Sequence, residues 1–301
     1  MLRISYSSTS TFRECPRKYH YRYRMGRVPT TDADVLRLGK AVHQALEHWW
    51  EDGPEAARGF LLTNADIITP VEAAKVSAML EHYNPPRDEY EVIATEKRFE
   101  LALPDPFGDE RSDSVMQLGE AVLWRGYADS VLLDKRSGKT VVRECKTTSE
   151  EIIGFGPFWS RIAIDAQTAL YKLAFGADGI VYDVLRKPMH RVSQADSKGT
   201  DNELDAIANY RERVSGIIAA APEEWFQWRP LWRDADDIRD AHIDLWQTTR
   251  KILWSEKHDA FEKHDNACRS FYGICPYLDV CAGRASLDDE ALFMDREERT
   301  A

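Results

Sequence analysis

The stretch AVLWRGYADSVLLDKRSGKTVVRECKTT, residues 121–148, restricts the fold of this chain more than any other. Two apolar runs rich in β-branched residues, 121–135 and 139–148, flank the turn-forming DKRSGK, a pattern that predicts two strands joined by a tight connection. Side chains alternate along a strand, so Glu144 and Lys146 face one side and Cys145 the other. A hairpin between the two strands brings Asp129 next to Glu144. Two carboxylates at that range are hard oxygen ligands suited to Mg²⁺ or Mn²⁺. A neighbouring lysine favours their ionised forms and is placed to orient a water or stabilise charge on a phosphate. A cation there would polarise a phosphodiester and lower the pKa of an attacking water. Taken alone, D…E-x-K is short and common by chance, and a surface salt bridge between Glu144 and Lys146 is the plainer explanation.

The rest of the chain supplies the frame. Residues 33–51 read as a helix with Val35, Leu38, Val42, Leu46 and Trp49/Trp50 on one side. A second helix covers about 70–83, and EYEVIATEKRFELAL (89–103) reads as a strand. A helix is expected over 161–175, a fourth strand over 179–187, and helices over about 201–220 and 235–256. Meandering strands followed by a helix and a further strand predict an α/β core with a mixed sheet. Helical additions lie at both ends. With 301 residues the chain is long enough for one large domain or two modest ones.

The formal net charge of −11 argues against a general nucleic-acid binder, but the charge is unevenly placed. Residues 1–27 hold Arg3, Arg13, Arg17, Lys18, Arg22, Arg24 and Arg27 against Glu14 alone. The tail 287–301 holds Asp288, Asp289, Glu290, Asp295, Glu297 and Glu298 against Arg296 and Arg299. The basic end is what a phosphate backbone would meet, and its rings Phe12, Tyr19, Tyr21 and Tyr23 either stack on bases or pack on protein. Arg186 and Lys187, after the fourth strand, are within reach of phosphate in the same reading. Trp225, Trp228 and Trp232 read as core or interdomain packing before a stacking wall. No apolar run approaches the roughly 20 residues of a membrane span, and the start, MLRISYSSTS, lacks a signal-peptide core. The expectation is a cytoplasmic protein made in a reducing compartment, with no membrane partner. In a reducing compartment clustered cysteines lean towards metal rather than disulfides.

The order of motifs is more specific than any one of them. GKAVHQALE places Gly39 and His43 on the early helix. DAQTALYKLAF places Gln167 and Tyr171 four apart on one helix face. The sequence G-x3-H, then D, then E-x-K, then Q-x3-Y resembles the RecB-like branch of the PD-(D/E)XK nuclease superfamily. The opening SYSSTSTFRECPRKYHYRY resembles that branch's S-x-S-x-L-x-x-F-x-x-C-P start, with Thr9 in place of the usual leucine. GIVYDVLRKP and CPYLDVC resemble phage-encoded and related bacterial members. The resemblance spans roughly residues 5–283 and implies a restriction-endonuclease-like α/β core, with a central mixed sheet flanked by helices and a helical extension pinned by an iron–sulfur cluster.

The resemblance also implies roles. His43, Asp129 and Glu144 would bind the divalent metal, Mg²⁺ or Mn²⁺, with the backbone carbonyl of Cys145 as a further ligand. Lys146 would assist catalysis, and Gln167 and Tyr171 would contact substrate near the site. Glu96 matches an acidic position often seen on the first strand. Cys15, Cys268, Cys275 and Cys281 would ligate a [4Fe–4S] cluster, which needs four thiolates. The spacing here is C-x6-C-x5-C against the family's more familiar C-x2-C-x5-C, and a four-cysteine zinc site is the alternative with the same ligand count. Cys145, facing away from the active side, is expected to be a buried packing residue. The parts expected are an N-terminal helix with the first cysteine (1–30), a nuclease core with helical insertions (31–260), a cluster-binding segment (261–285) and a flexible acidic tail (286–301). The expected function is a metal-dependent DNA exonuclease of recombination, repair or phage DNA processing, with a recombination or replication protein as a further partner. A CRISPR spacer-acquisition-type nuclease and a non-catalytic DNA-end-binding module are the alternatives.

Overall fold

The structure is a computed structural model in which residues 2–30, 34–64, 68–107, 122–270 and 273–296 are described. In chain order the elements are β1 (Leu2–Ile4), α1 (Tyr6–Glu14), α2 (Pro16–Tyr19), β2 (Arg27–Pro29), α3 (Asp34–Asp52), α4 (Pro54–Thr63), α5 (Pro70–His82), β3 (Tyr90–Leu101), β4 (Val122–Asp134), β5 (Thr140–Thr148), α6 (Pro157–Ala163), α7 (Gln167–Phe175), β6 (Gly179–Arg186), α8 (Glu203–Ala220), β7 (Phe226–Leu231), α9 (Ala235–His258), β8 (Arg269–Ser270), β9 (Gly273–Ile274), α10 (Leu278–Cys281) and β10 (Phe293–Asp295). The chain forms two compact units. One gathers Met1–Asp32, Phe99–Gly126 and Asp236–Ala301; the other gathers Ala33–Arg98 and Tyr127–Ala235. No helix among the described residues is long and apolar enough to cross a membrane.

The second unit carries the sheet expected from the sequence. Its strands run β4–β5–β6–β7, with β3 also on β4. The β5–β6 pair is parallel, while β4–β5 and β6–β7 are antiparallel, so the sheet is mixed. Helices α6 and α7 make the crossover that a parallel pair requires. Strands β5 and β6 are buried on both faces along most of their length, which is why they read as nearly continuous apolar runs. The stripe Leu38, Val42, Leu46, Trp49 of α3 and Ala74, Ala78 and Met79 of α5 join Leu132, Val141, Val181 and Val214 in one core. Thr69 and Glu72 form a reciprocal cap at the start of α5, with Pro70 in the first turn.

Three stretches depart from expectation. The single helix over 161–175 is two helices, because the Asp165 carboxylate accepts the Gln167 N–H at 2.8 Å and starts α7 afresh. Helix α4 was not foreseen. FQWRPL is an edge strand on β6, where Pro230 opposite Val181 is tolerated because an edge can forgo a ladder bond. Of its neighbouring tryptophans, Trp225 is buried, Trp228 stacks on Trp50 at 5.6 Å, and Trp232 is half exposed under Lys139.

The first unit is built from both chain ends. A reciprocal cap between Ser5 and Ser8 starts α1, and the helix breaks at Cys15, whose extended backbone (φ −159°, ψ 113°) is what a residue before proline prefers. Strand β2 pairs antiparallel with β10, and Tyr21, Tyr277, Leu287 and Phe293 pack together beside it. The tail is thus anchored through Asp295; residues 297–301, with Glu297, Glu298 and Arg299, lie outside the described residues. β1 pairs in parallel with the first residues of β4.

The basic N-terminal segment resolves its own ambiguity. Phe12 and Tyr19 meet edge to face at 5.4 Å, His20 lies 4.3 Å from Phe261, and Tyr21 5.6 Å from Tyr277. These rings pack on protein rather than await bases. Most of the cations are committed as well: Arg17 to the Phe261 carbonyl, Lys18 to Glu14, Arg24 to Glu256, and Arg27 to Asp295.

Candidate active site

The β4–β5 ladder runs from Leu133↔Thr140 to Ser130↔Arg143 and stops one residue short of Asp129 and Glu144. There the Asp129 side chain takes over: Oδ2 accepts the Cys145 N–H at 2.6 Å. A buried backbone donor thereby keeps a partner, and the carboxylate is fixed at the Glu144 end of β5. Helix α3 brings His43 to the same place. Gly39, four residues before it, lies so near β5 that a Cβ would come within 3.2 Å of Thr147 Oγ1. Any side chain there would crowd Thr147 by a few tenths of an ångström, which accords with the glycine of G-x3-H. His43 Nδ1 lies 3.8 Å from Asp129 Oδ1.

The remaining residues close a ring of hydrogen bonds. Lys146 Nζ donates to Glu144 Oε1 (2.7 Å) and to Gln167 Oε1 (2.9 Å), while Gln167 Nε2 donates to the same Glu144 oxygen (2.9 Å). The Tyr171 hydroxyl donates to Glu144 Oε2 and receives Gln167 Nε2 at 2.6 Å. Gln167 and Tyr171 reach Glu144 together because they sit one turn apart on α7. Asp129, Glu144, Lys146, Gln167, Tyr171 and His43 therefore meet within one unit, as the motif order predicts. Glu96 lies mid-way along β3 with left-handed backbone (φ 41°), a strained conformation of the kind found at strand irregularities and functional sites.

Electrostatics follow from burial. It pushes the Asp129 carboxyl up against the pull of Arg143, and the Glu144 carboxyl up against the pull of Lys146. Burial lowers the His43 imidazole to about 4 against the attraction of Glu144, so the ring is neutral and a lone pair is free near pH 7. Burial also works against the Lys146 ammonium, but Glu144 and Asp165 outweigh it and hold its pKa above the ordinary lysine value. Lys146 is thus a charged donor in this site rather than a base. One imidazole nitrogen and two carboxylates, Glu144 buried and His43 and Asp129 half-buried, with both carboxyls reluctant to ionise, suit a hard divalent cation. Among the described residues, however, no three His, Cys, Asp or Glu are drawn together as a finished metal site; both Glu144 oxygens are held by the ring.

Behind these residues lies a network that sequence reasoning did not find. Arg143 and Asp183 are 1% and 2% exposed, and Arg143 Nε donates to Asp183 Oδ2 at 2.8 Å. Tyr83 donates its hydroxyl to Asp183, Trp50 Nε1 donates to Tyr83 at 3.0 Å, and the guanidinium lies 4.7 Å above the Trp50 ring. The available signal was an arginine and an aspartate, each interrupting an apolar central strand.

The cysteines are all free thiols. Cys15, Cys268, Cys275 and Cys281 lie in the unit built from the chain ends. Cys15 Sγ is 4.0 Å from the Glu262 carbonyl and Cys268 Sγ is 3.9 Å from the His264 carbonyl, two residues on. His264 Nδ1 bonds the Glu14 carbonyl (2.9 Å), and the Cys275 N–H donates to the Cys268 carbonyl (3.0 Å). Burial raises the Cys275 thiol, with neighbouring Cys268 and Cys15 adding to it. Four thiols on adjoining segments match the donor chemistry of an iron–sulfur cluster, although they too fall short of a gathered site. Cys145, 2% exposed in the core with its thiol pushed up by burial, is the packing residue expected.

A family model of the PD-(D/E)XK nuclease superfamily matches residues 3–282. A search of curated proteins returned no match.

Proposed function

Because the chain belongs to the PD-(D/E)XK nuclease superfamily, whose members are generally divalent-metal-dependent nucleases, we propose that it is a metal-dependent DNA exonuclease serving recombination, repair or phage DNA processing. The observation that carries this reading is the ring joining Glu144, Lys146, Gln167 and Tyr171 beside Asp129 and His43. His43, Asp129, Glu144 and the Cys145 carbonyl would hold Mg²⁺ or Mn²⁺. When bound, the cation supplies charge neutralisation for the phosphodiester and a more acidic water. Lys146 keeps its proton and donates to charge developing on the scissile phosphate. Gln167 aims the Lys146 ammonium by accepting from it, and Tyr171 fixes the second Glu144 oxygen. An intact D…E-x-K favours this over a non-catalytic end-binding module. The test is incubation of the anaerobically purified protein with end-labelled linear and circular DNA, single- and double-stranded, with Mg²⁺, Mn²⁺ or EDTA. Cleavage of linear but not circular DNA is expected; cleavage of neither overturns the reading.

The raised carboxylates give a pH dependence. Protons and cation compete for Asp129 and Glu144, and their raised pKa values mean that protons win earlier as pH falls. Metal affinity drops with falling pH, and the acid limb of cleavage lies above the ordinary carboxylate range of about 4. Raising Mn²⁺ shifts that limb to lower pH. A limb that stays fixed across Mn²⁺ concentrations would show that other groups set it.

The four cysteines of the first unit are proposed to hold a [4Fe–4S] cluster tying the N-terminal helix to the 261–285 segment. Cys15→Ser is expected to lose iron and sulfide and to melt at lower temperature, whereas Cys145→Ala keeps its iron. Stoichiometric zinc without iron in the anaerobic wild type would replace this assignment with a zinc site.

A further inference from the structure

The unit built from the chain ends contains a cavity of about 790 Å³ whose described lining includes no residue of the carboxylate site and no cysteine. Its principal wall is α9. Gln247, Arg250, Lys251 and Trp254 follow one another at helical spacing and line the same cavity. Arg13 enters from α1, held by donation of its Nε to Thr248 Oγ1 at 2.8 Å. His264 also lines it, and Glu262 is the only acid among the described lining residues.

Two features of this cavity bear on what it could hold. The cations of the N-terminal segment are largely spent on carboxylates and carbonyls of the same unit. Arg250 and Lys251 are exposed, and among the described residues neither has an ion-pair or hydrogen-bond partner. A protein of net charge −11 thus keeps two adjacent uncommitted cations, with Arg13 beside them. The second feature is aromatic. Trp254, whose ring meets His258 at 4.8 Å, is 55% exposed and Phe107 is 51% exposed, and both line the cavity. Here the two rings share one cleft with the cations instead of standing singly on open surface.

Cations without partners take phosphates, and exposed rings take the faces of unpaired bases. We propose that this cavity binds a nucleotide of single-stranded nucleic acid, its base stacked on Trp254 and its phosphates on Arg250, Lys251 and Arg13. The volume lies in the range of small-ligand sites, and a stacking ring requires a base that is not already stacked in a duplex. An acidic peptide would use the cations but not the exposed Trp254 and Phe107 rings. The inference rests on the proposed action on DNA for its biological sense, but binding is separable from cleavage.

The test measures anisotropy of a short fluorescein-labelled oligothymidylate in EDTA, where no cleavage occurs. Trp254→Ala is expected to weaken binding about tenfold or more, and Trp254→Phe to restore most of it. The double variant Arg250→Glu/Lys251→Glu is expected to weaken binding and to reduce the slope of log K against log[salt] by about 2. Arg136→Glu, a charge change in the β4–β5 turn, leaves affinity unchanged. All these side chains are exposed, and circular dichroism checks that the variants fold. Wild-type affinity and salt slope in the Trp254→Ala and double variants overturn the proposal. So does displacement of the oligonucleotide by polyglutamate as effectively as by unlabelled oligothymidylate. Loss of cleavage in Mg²⁺ or Mn²⁺ with intact, variant-sensitive binding would instead count against the proposed nuclease reading alone.

Discussion

Asp129→Asn lowers metal-dependent DNA cleavage by about 10³-fold or more and raises the melting temperature of the metal-free protein. The two effects have one cause. In the folded chain burial holds the Asp129 carboxyl above its ordinary pKa. A carboxylate with a folded pKa above its unfolded one binds protons more tightly in the native state. It therefore lowers stability at neutral pH, and the penalty disappears as pH falls through the folded value. Asparagine is neutral at every pH and can still accept the Cys145 N–H, so it removes the penalty while removing the metal ligand. Lys146→Ala should match the loss of cleavage without the gain, because it leaves Glu144 without its ammonium partner. Cleavage within tenfold of wild type in either variant removes both residues from the mechanism. A lower metal-free melting temperature in Asp129→Asn would show that the carboxylate is instead a stabilising group.

Asp183→Ala is expected to destabilise the protein by about 3–5 kcal/mol, the cost of stranding one member of a buried ion pair. Arg143 loses its carboxylate partner while remaining 1% exposed, and the Tyr83 hydroxyl loses its acceptor. Urea unfolding measures the change. The double variant Arg143→Met/Asp183→Leu removes both charges and should recover much of the loss, since an apolar replacement of similar volume is often neutral. If the double variant is as unstable as the single one, packing at this site outweighs charge.

How much of this was legible in the sequence depended on distance along the chain. The hairpin of β4 and β5 was readable because its two runs and its turn are contiguous, and the alternation within β5 placed Glu144 and Lys146 on one side at once. Gln167 and Tyr171 share a helix face for a similarly local reason. The residues Arg143, Tyr83 and Asp183 were not readable as a group, because each touches its partner only after β6 is laid beside β5 and α5 is docked on the sheet. The basic segment shows the opposite failure. Its cations look like a nucleic-acid surface in the sequence because their partners, Glu256, the Phe261 carbonyl and Asp295, come more than 230 residues later. The exposed cations Arg250 and Lys251 sit in a helix whose composition is otherwise acidic at its start, so charge counting passed over them.

The pairing of β2 with β10 has a consequence for biosynthesis. Arg27–Pro29 finds its partner strand only at Phe293–Asp295, so a ribosome working at about 5–20 residues per second needs roughly 13–50 s to supply it. For that interval the emerged N-terminal segment carries Tyr21 and an unpaired strand edge with no docking partner. The sheet-bearing unit, complete by Ala235, can form meanwhile. The segment that holds Cys15 is thus made before the sheet-bearing unit and finished after it, and a holding chaperone would matter more for it than for that unit.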